Sequence, residues 1–129
     1  RIRSRGLGDV YKRQAKSKAF IGNLPEVHHN EILSWDADKN GSKENYIVIF
    51  FRDQNEHPQI RKRFELTKDL IEEKVNITEV NIANQESTLK TLLELVLLGD
   101  LVSLNLAAKL AVNPNNIDTI EKLKKLLGG

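Results

Sequence analysis

The stretch from Leu89 to Val112 restricts the fold more than any other part of this chain. Leucine, valine and alanine fall on nearly every side of the helix it would form. Such a helix has no solvent face of its own and needs cover from a large core or a second subunit. Glu94, Asp100 and Lys109 interrupt the run, so it is not read as a membrane span. Gly99-Asp100 predicts a kink or break, with Asp100 capping the second half. Asn113-Pro-Asn-Asn116 ends the stretch, and a short amphipathic helix over 117–127 closes the chain.

Upstream, Tyr46-Ile-Val-Ile-Phe-Phe-Arg52 is a continuous apolar run rich in β-branched and aromatic residues, the pattern of a strand buried on both faces. The polar residues 36–43 before it read as a surface loop. Pro58 suits the first turn of a helix, where its missing N–H costs nothing. That helix is expected to run to about Glu73, with Ile60, Phe64, Leu66, Leu70 and Ile71 on its inward stripe. Alternation over 75–82 predicts a second strand, Ala19–Ile21 a short third one, and 27–35 a short helix or helical turn. Strand, helix and strand in succession point to an α/β fold with a parallel sheet. A doubly wound sheet has about five or six strands, so the remaining ones are expected upstream.

The first fourteen residues differ from the rest. They hold five basic residues against one acid, a net of +4, so the +2 of the whole chain leaves −2 for residues 15–129. A nucleic-acid-binding arm would rest on this tail alone, and the negative balance of the remainder argues against it. The string resembles translated adapter sequence, so 1–14 is read as foreign or disordered and 15–129 as the domain. The chain has no methionine, not even at position 1, which adds to the expectation of truncation. There is no cysteine, which excludes disulfides and thiolate metal sites and permits a reducing, cytoplasmic setting.

Four segments in order carry a resemblance. They are Leu24-Pro-Glu-Val-His-His-Asn-Glu-Ile-Leu-Ser-Trp35, Phe51-Arg-Asp-Gln-Asn-Glu-His-Pro-Gln-Ile-Arg-Lys-Arg63, Leu97-Leu-Gly-Asp-Leu-Val-Ser103, and Asn113-Pro followed by Ile120-Glu-Lys-Leu-Lys124. Together they resemble the C-terminal sugar-isomerase (SIS-type) domain of the bifunctional phosphoglucose/phosphomannose isomerases. The resemblance implies a three-layer α/β sandwich with a mostly parallel sheet, incomplete here at its N-terminus. It also implies a dimer and a missing N-terminal domain of the same kind that carries much of the phosphate loop.

The implied reaction interconverts glucose 6-phosphate, and mannose 6-phosphate, with fructose 6-phosphate. It needs ring opening, a base that moves a proton through an enediol, and stabilisation of charge on oxygen. No metal and no organic cofactor is required. His29, in the His-Asn-Glu string, resembles the family's active-site histidine and would open the ring; a histidine exchanges protons near neutral pH. It would reach into the neighbouring subunit's site. His28 reads as a bystander, and Glu26 and Glu31 as structural. Lys124 matches the lysine of a C-terminal Ile-x-x-Leu-Lys pattern and would be the cation near the ring oxygen. The family places its base glutamate two residues before a pair matched by Ala15-Lys16, and that position is Arg13. The base is therefore expected to be absent, and this polypeptide inactive by itself.

His57 before Pro58 reads as a structural strand-to-helix corner, and Arg61, Lys62 and Arg63 as a solvated helix face. The alternative to an isomerase is a sugar-phosphate-binding regulatory domain of the same fold. The pairing of His29 with Lys124 favours the enzyme, because a sensor needs no ring-opening acid.

Overall fold

The computed structural model describes residues 4–36, 42–82 and 88–128. The chain separates into two compact units, one of residues 22–92 and one of residues 1–21 with 93–129. The division falls inside one long helix.

In the unit of residues 22–92, strand β1 (Ile47–Asp53) leads through helix α4 (Pro58–Ile71) into strand β2 (Asn76–Ile82). The strands pair in parallel, with Phe50 opposite Glu79 and Asp53 opposite Ile82. Parallel neighbours need a crossover, and α4 supplies it. His57 caps the helix by accepting the Gln59 N–H on Nδ1 at 3.2 Å, and Pro58 occupies the first turn. This is the strand-to-helix corner expected from the sequence. A 3-10 turn (Glu26–His28) and the short helices α2 (Glu31–Ser34) and α3 (Ser42–Asn45) complete the unit.

Phe50 is buried and meets Phe64 of α4 edge-on, ring centroids 5.1 Å apart. Ile71 and Val75 close the core at the far end of the helix. The other face of β1 is open: Ile47 and Ile49 are exposed. The expectation of a strand covered on both faces is therefore corrected. The run is apolar enough for two cover layers, but among the described residues of this unit the cover seen on the sheet is that of α4, through Phe64 on Phe50. Leu66 and Leu70, assigned to the inward stripe, are also exposed. Ser42–Asn45 forms a helical turn where a loop was expected, and residues 37–41 of that loop lie outside the described residues.

In the other unit, helix α1 (Ser4–Gln14) turns at Ala15 and Lys16 into an extended segment. Ala19–Ile21, expected as a strand, has no pairing partner among the described residues and is not one. Helix α5 (Thr88–Lys109) runs unbroken through Gly99 and Asp100. The expected break is not found, and Asp100, expected as a cap, instead accepts a hydrogen bond from the Gln14 side chain at 3.2 Å. Gly99, Ser103 and Ala107, four residues apart, are buried on one line of the helix, and Ser103 donates to Gln14 Oε1. Much of the remaining surface of α5 is open, with Leu93 61%, Leu97 59% and Leu101 51% exposed, while Leu92, Leu95 and Leu106 are half-buried. By length and composition Leu89–Lys109 is apolar enough to cross a membrane, with a mean hydropathy of 1.7. Its small-residue line and its bonds to Gln14 give it a packed polar seam as well. Helix α6 (Asp118–Leu126) follows, with no buried residue.

The expectation that residues 1–14 stand outside the folded unit differs from what is found. Gly8 is buried close to Ile21, Tyr11 is half-buried, and Gln14 is bonded to α5. A helix end that reaches the polar seam of α5 is held there whatever the origin of the residues before it.

Candidate active site

The turn that carries the two adjacent histidines is built from Gly22 onward. A side chain at Gly22 would collide with Val27 and approach Glu31, so a residue without one lets the chain fold back on itself. After the cis Leu24–Pro25 bond, the His28 N–H bonds to the Pro25 carbonyl and the His29 N–H to the Glu26 carbonyl, each at 3.0 Å. Asn30 then starts α2.

The His28 ring is held at both nitrogens. Nδ1 is 2.9 Å from the Arg63 guanidinium, and Nε2 is 2.7 Å from the Thr67 hydroxyl oxygen. A guanidinium only donates, so Nδ1 accepts. The Thr67 hydroxyl gives its hydrogen to the Arg63 carbonyl at 2.7 Å, so its oxygen accepts from Nε2–H. One neutral tautomer satisfies all three bonds. Partial burial, and then the neighbouring Arg63 charge, push the His28 pKa below its ordinary 6.5. Sequence reading passed over both residues, His28 as a bystander and Arg63 as part of a solvated face.

His29 follows immediately. Its side chain is exposed and has no hydrogen-bond partner among the described residues. The turn thus ties one ring down and leaves the next one accessible.

Lys124 lies in the last turn of α6, exposed, with Lys125 beside it and Asp118 and Glu121 in the first turn. That charge order complements the helix dipole. His29 and Lys124 belong to different units, and each is described within its own. Position 13 shares the unit of Lys124. The Lys16 ammonium donates at 2.6 Å to the Arg13 carbonyl and at 2.6 Å to the Asn116 carbonyl. It thereby ties the end of α1 to the loop that enters α6. Lys16 itself has φ 54, a left-handed conformation that non-glycine residues rarely adopt.

The most buried charges lie elsewhere, at the C-terminal end of β1. Arg52 contacts Glu56 at 2.5 Å, Glu65 at 2.9 Å and Glu79 at 3.1 Å, and its guanidinium stacks 4.6 Å from the centroid of Phe64. Lys68 adds a second cation on Glu79 at 2.9 Å. Every charge there faces a partner within the cluster, which marks a structural network rather than a site awaiting a ligand. No cluster of metal-ligating side chains occurs among the described residues.

A parallel sheet crossed by a helix, with titratable side chains at loop corners, places the chain in the α/β class. The sequence model of the bacterial phospho-glucose isomerase C-terminal SIS domain matches residues 10–127, and the chain belongs to that family. Among curated relatives, the chain is 32% identical over 126 residues to a bifunctional phosphoglucose/phosphomannose isomerase of Aquifex aeolicus, covering 98% of this chain and 38% of the relative. It is 31% identical over 128 residues to a protein of the same name from Caldicellulosiruptor bescii, covering 98% of this chain and 37% of that one. The chain thus spans less than two fifths of the length of either relative. No solved structure matches it.

Proposed function

We propose that this chain is the C-terminal portion of a cytoplasmic, dimeric aldose–ketose isomerase acting on hexose 6-phosphates. Glucose 6-phosphate and mannose 6-phosphate, the substrates suggested by the names of its relatives, would be converted to fructose 6-phosphate. The observation that carries this reading is the His29 ring. It is exposed on a short, internally bonded turn within a segment that has the family's Pro-Glu-…-His-Asn-Glu order.

His29 transfers a proton to or from the ring oxygen and the anomeric hydroxyl, which opens the sugar. A base then carries a proton between carbon 1 and carbon 2 through the enediol. Lys124 stabilises the negative charge that develops on oxygen. The base position falls at Arg13, and a guanidinium stays protonated at any working pH, so it cannot take that role. The chain covers 38% and 37% of the length of its two relatives, and the carboxylate base is proposed to lie in the part of the parent that this sequence does not cover. The exposed leucines of α5 form the surface that the upstream domain or the second subunit covers.

The test uses the full-length parent. His29→Ala lowers turnover of the cyclic sugar by roughly 10²-fold, the usual worth of a positioned acid–base group. A substrate supplied in open-chain form is spared most of that loss. Lys124→Ala lowers turnover of both forms, while Lys122→Ala and Lys125→Ala change little. Undiminished turnover of the cyclic sugar by His29→Ala overturns the assignment.

A further inference from the structure

His28 and His29 are neighbours in sequence, yet their environments are opposite. One ring is bonded at both nitrogens to α4, and the other is exposed with no side-chain partner among the described residues. The segment between Gly22 and α2 contains only a one-turn 3-10 helix, too short to be stable through its own backbone bonds. No residue of that turn is buried. Its attachment to the sheet unit therefore depends on side-chain contacts, and the His28 ring supplies two specific ones to a 14-residue helix.

We infer that His28 is a positioning residue for His29: by accepting from Arg63 and donating to Thr67 it docks the Glu26–His28 turn on α4 and fixes the backbone from which the His29 ring projects. This rests on the reading of His29 as the ring-opening group. The chemistry needs such a device. A proton transfer requires heavy atoms within about 3.2 Å and tolerates little wandering of the donor. A ring on an unanchored turn would sample many positions and spend little time in the productive one.

The docking is specific to one protonation state. A second proton on His28 would sit on Nδ1, turn the acceptor into a donor and set it against the Arg63 guanidinium. The groups acting on the ring are Arg63 from α4 and His29 from its own turn, and both disfavour the charged form. The sign follows. The folded pKa lies below the ordinary 6.5, so the docking is complete above that value and is lost as pH falls toward the folded pKa.

The experiment follows amide exchange of residues 26–29 by mass spectrometry in the 129-residue chain, with β1 as internal reference. His28→Phe keeps a ring and deletes both nitrogens. It should raise exchange in the turn roughly tenfold, the worth of a lost side-chain hydrogen bond, and leave β1 unchanged. His28→Gln, which can accept and donate, should recover a large part of the protection. Lowering the pH from about 7 to about 5 should loosen the turn in the parent chain and not in His28→Gln. In the full-length parent, His28→Phe should slow the cyclic substrate and spare the open-chain one. Unchanged exchange in His28→Phe, exchange that rises equally in β1, loosening by acid in His28→Gln, or equal slowing of both substrates overturns the inference. The assignment of His29 fails separately: His29→Ala would then turn over the cyclic sugar normally, with the exchange of the turn unaltered.

Discussion

Replacing Arg52 by methionine tests the account of what holds the sheet unit together. The Arg52 side chain is 10% exposed and that of Glu56 is 7% exposed, so their contact at 2.5 Å lies away from water. Removing one member of a buried pair strands the other and costs about 3–5 kcal/mol. Here the lower end applies, because Glu56 keeps Arg61 at 3.6 Å and Glu79 keeps Lys68. Glu65, 55% exposed, is rehydrated and adds little. Loss of the stack on Phe64 adds roughly 0.5–1 kcal/mol, partly replaced by methionine–aromatic contact. The expected destabilisation is about 3 kcal/mol. Trp35 is the single tryptophan of the chain and lies in this unit, so urea unfolding followed by its fluorescence reports on the unit directly. With a slope of about 1 kcal/mol per molar, the midpoint should fall by roughly 3 M, or the unit should be unfolded without denaturant. Glu56→Gln in the Arg52→Met background should restore a substantial part of the loss by removing the stranded charge. A loss under about 1 kcal/mol, the value of a surface pair, or a double variant weaker than the single one, would refute this reasoning.

Three further outcomes are expected. The hydrogen bond from Lys68, followed by its charge and that of Arg52, holds the Glu79 carboxyl below its ordinary 4.5. The stability this gives is complete above that value and is lost as pH falls through the folded pKa, so the sheet unit should weaken on acidification below about pH 4.5; urea midpoints across pH 3–6 should show a flatter slope for Glu79→Gln. The open leucines of α5 should make the 129-residue chain self-associate and bind a hydrophobic dye, and the double variant Leu93→Glu, Leu97→Glu should reduce both without loss of helical circular dichroism; a dye-silent monomer would count against the covered-surface reading. On the proposal that the base position falls at Arg13, the chain alone should not convert fructose 6-phosphate in a coupled assay, and measurable turnover would remove the argument for a missing base.

Local patterns carried much of this protein's architecture. Pro58 after His57 marked the start of α4, the β-branched run marked β1, alternation marked β2, and the leucines on nearly every side marked α5 as a helix in need of cover. Each is a statement about neighbours along the chain, and periodicity reports those directly. The Pro-Glu-…-His-Asn-Glu order and the C-terminal Ile-x-x-Leu-Lys pattern likewise drew attention to His29 and Lys124. Tertiary structure decided the matters that depend on distant partners. Asp100 looked like a cap for a broken helix until Gln14, 86 residues away, took its carboxylate. Arg63 looked solvated and His28 idle, because the bonds joining them span 35 residues and leave no periodic trace. Arg52 drew no attention as the last residue of an apolar run, yet it gathers Glu56 from a loop, Glu65 from α4 and Glu79 from β2. Sequence fixes which side chains can donate, accept or be buried; only the folded backbone brings a donor to its acceptor, since a hydrogen bond or an ion pair requires contact within about 3 Å and carries no memory of chain order.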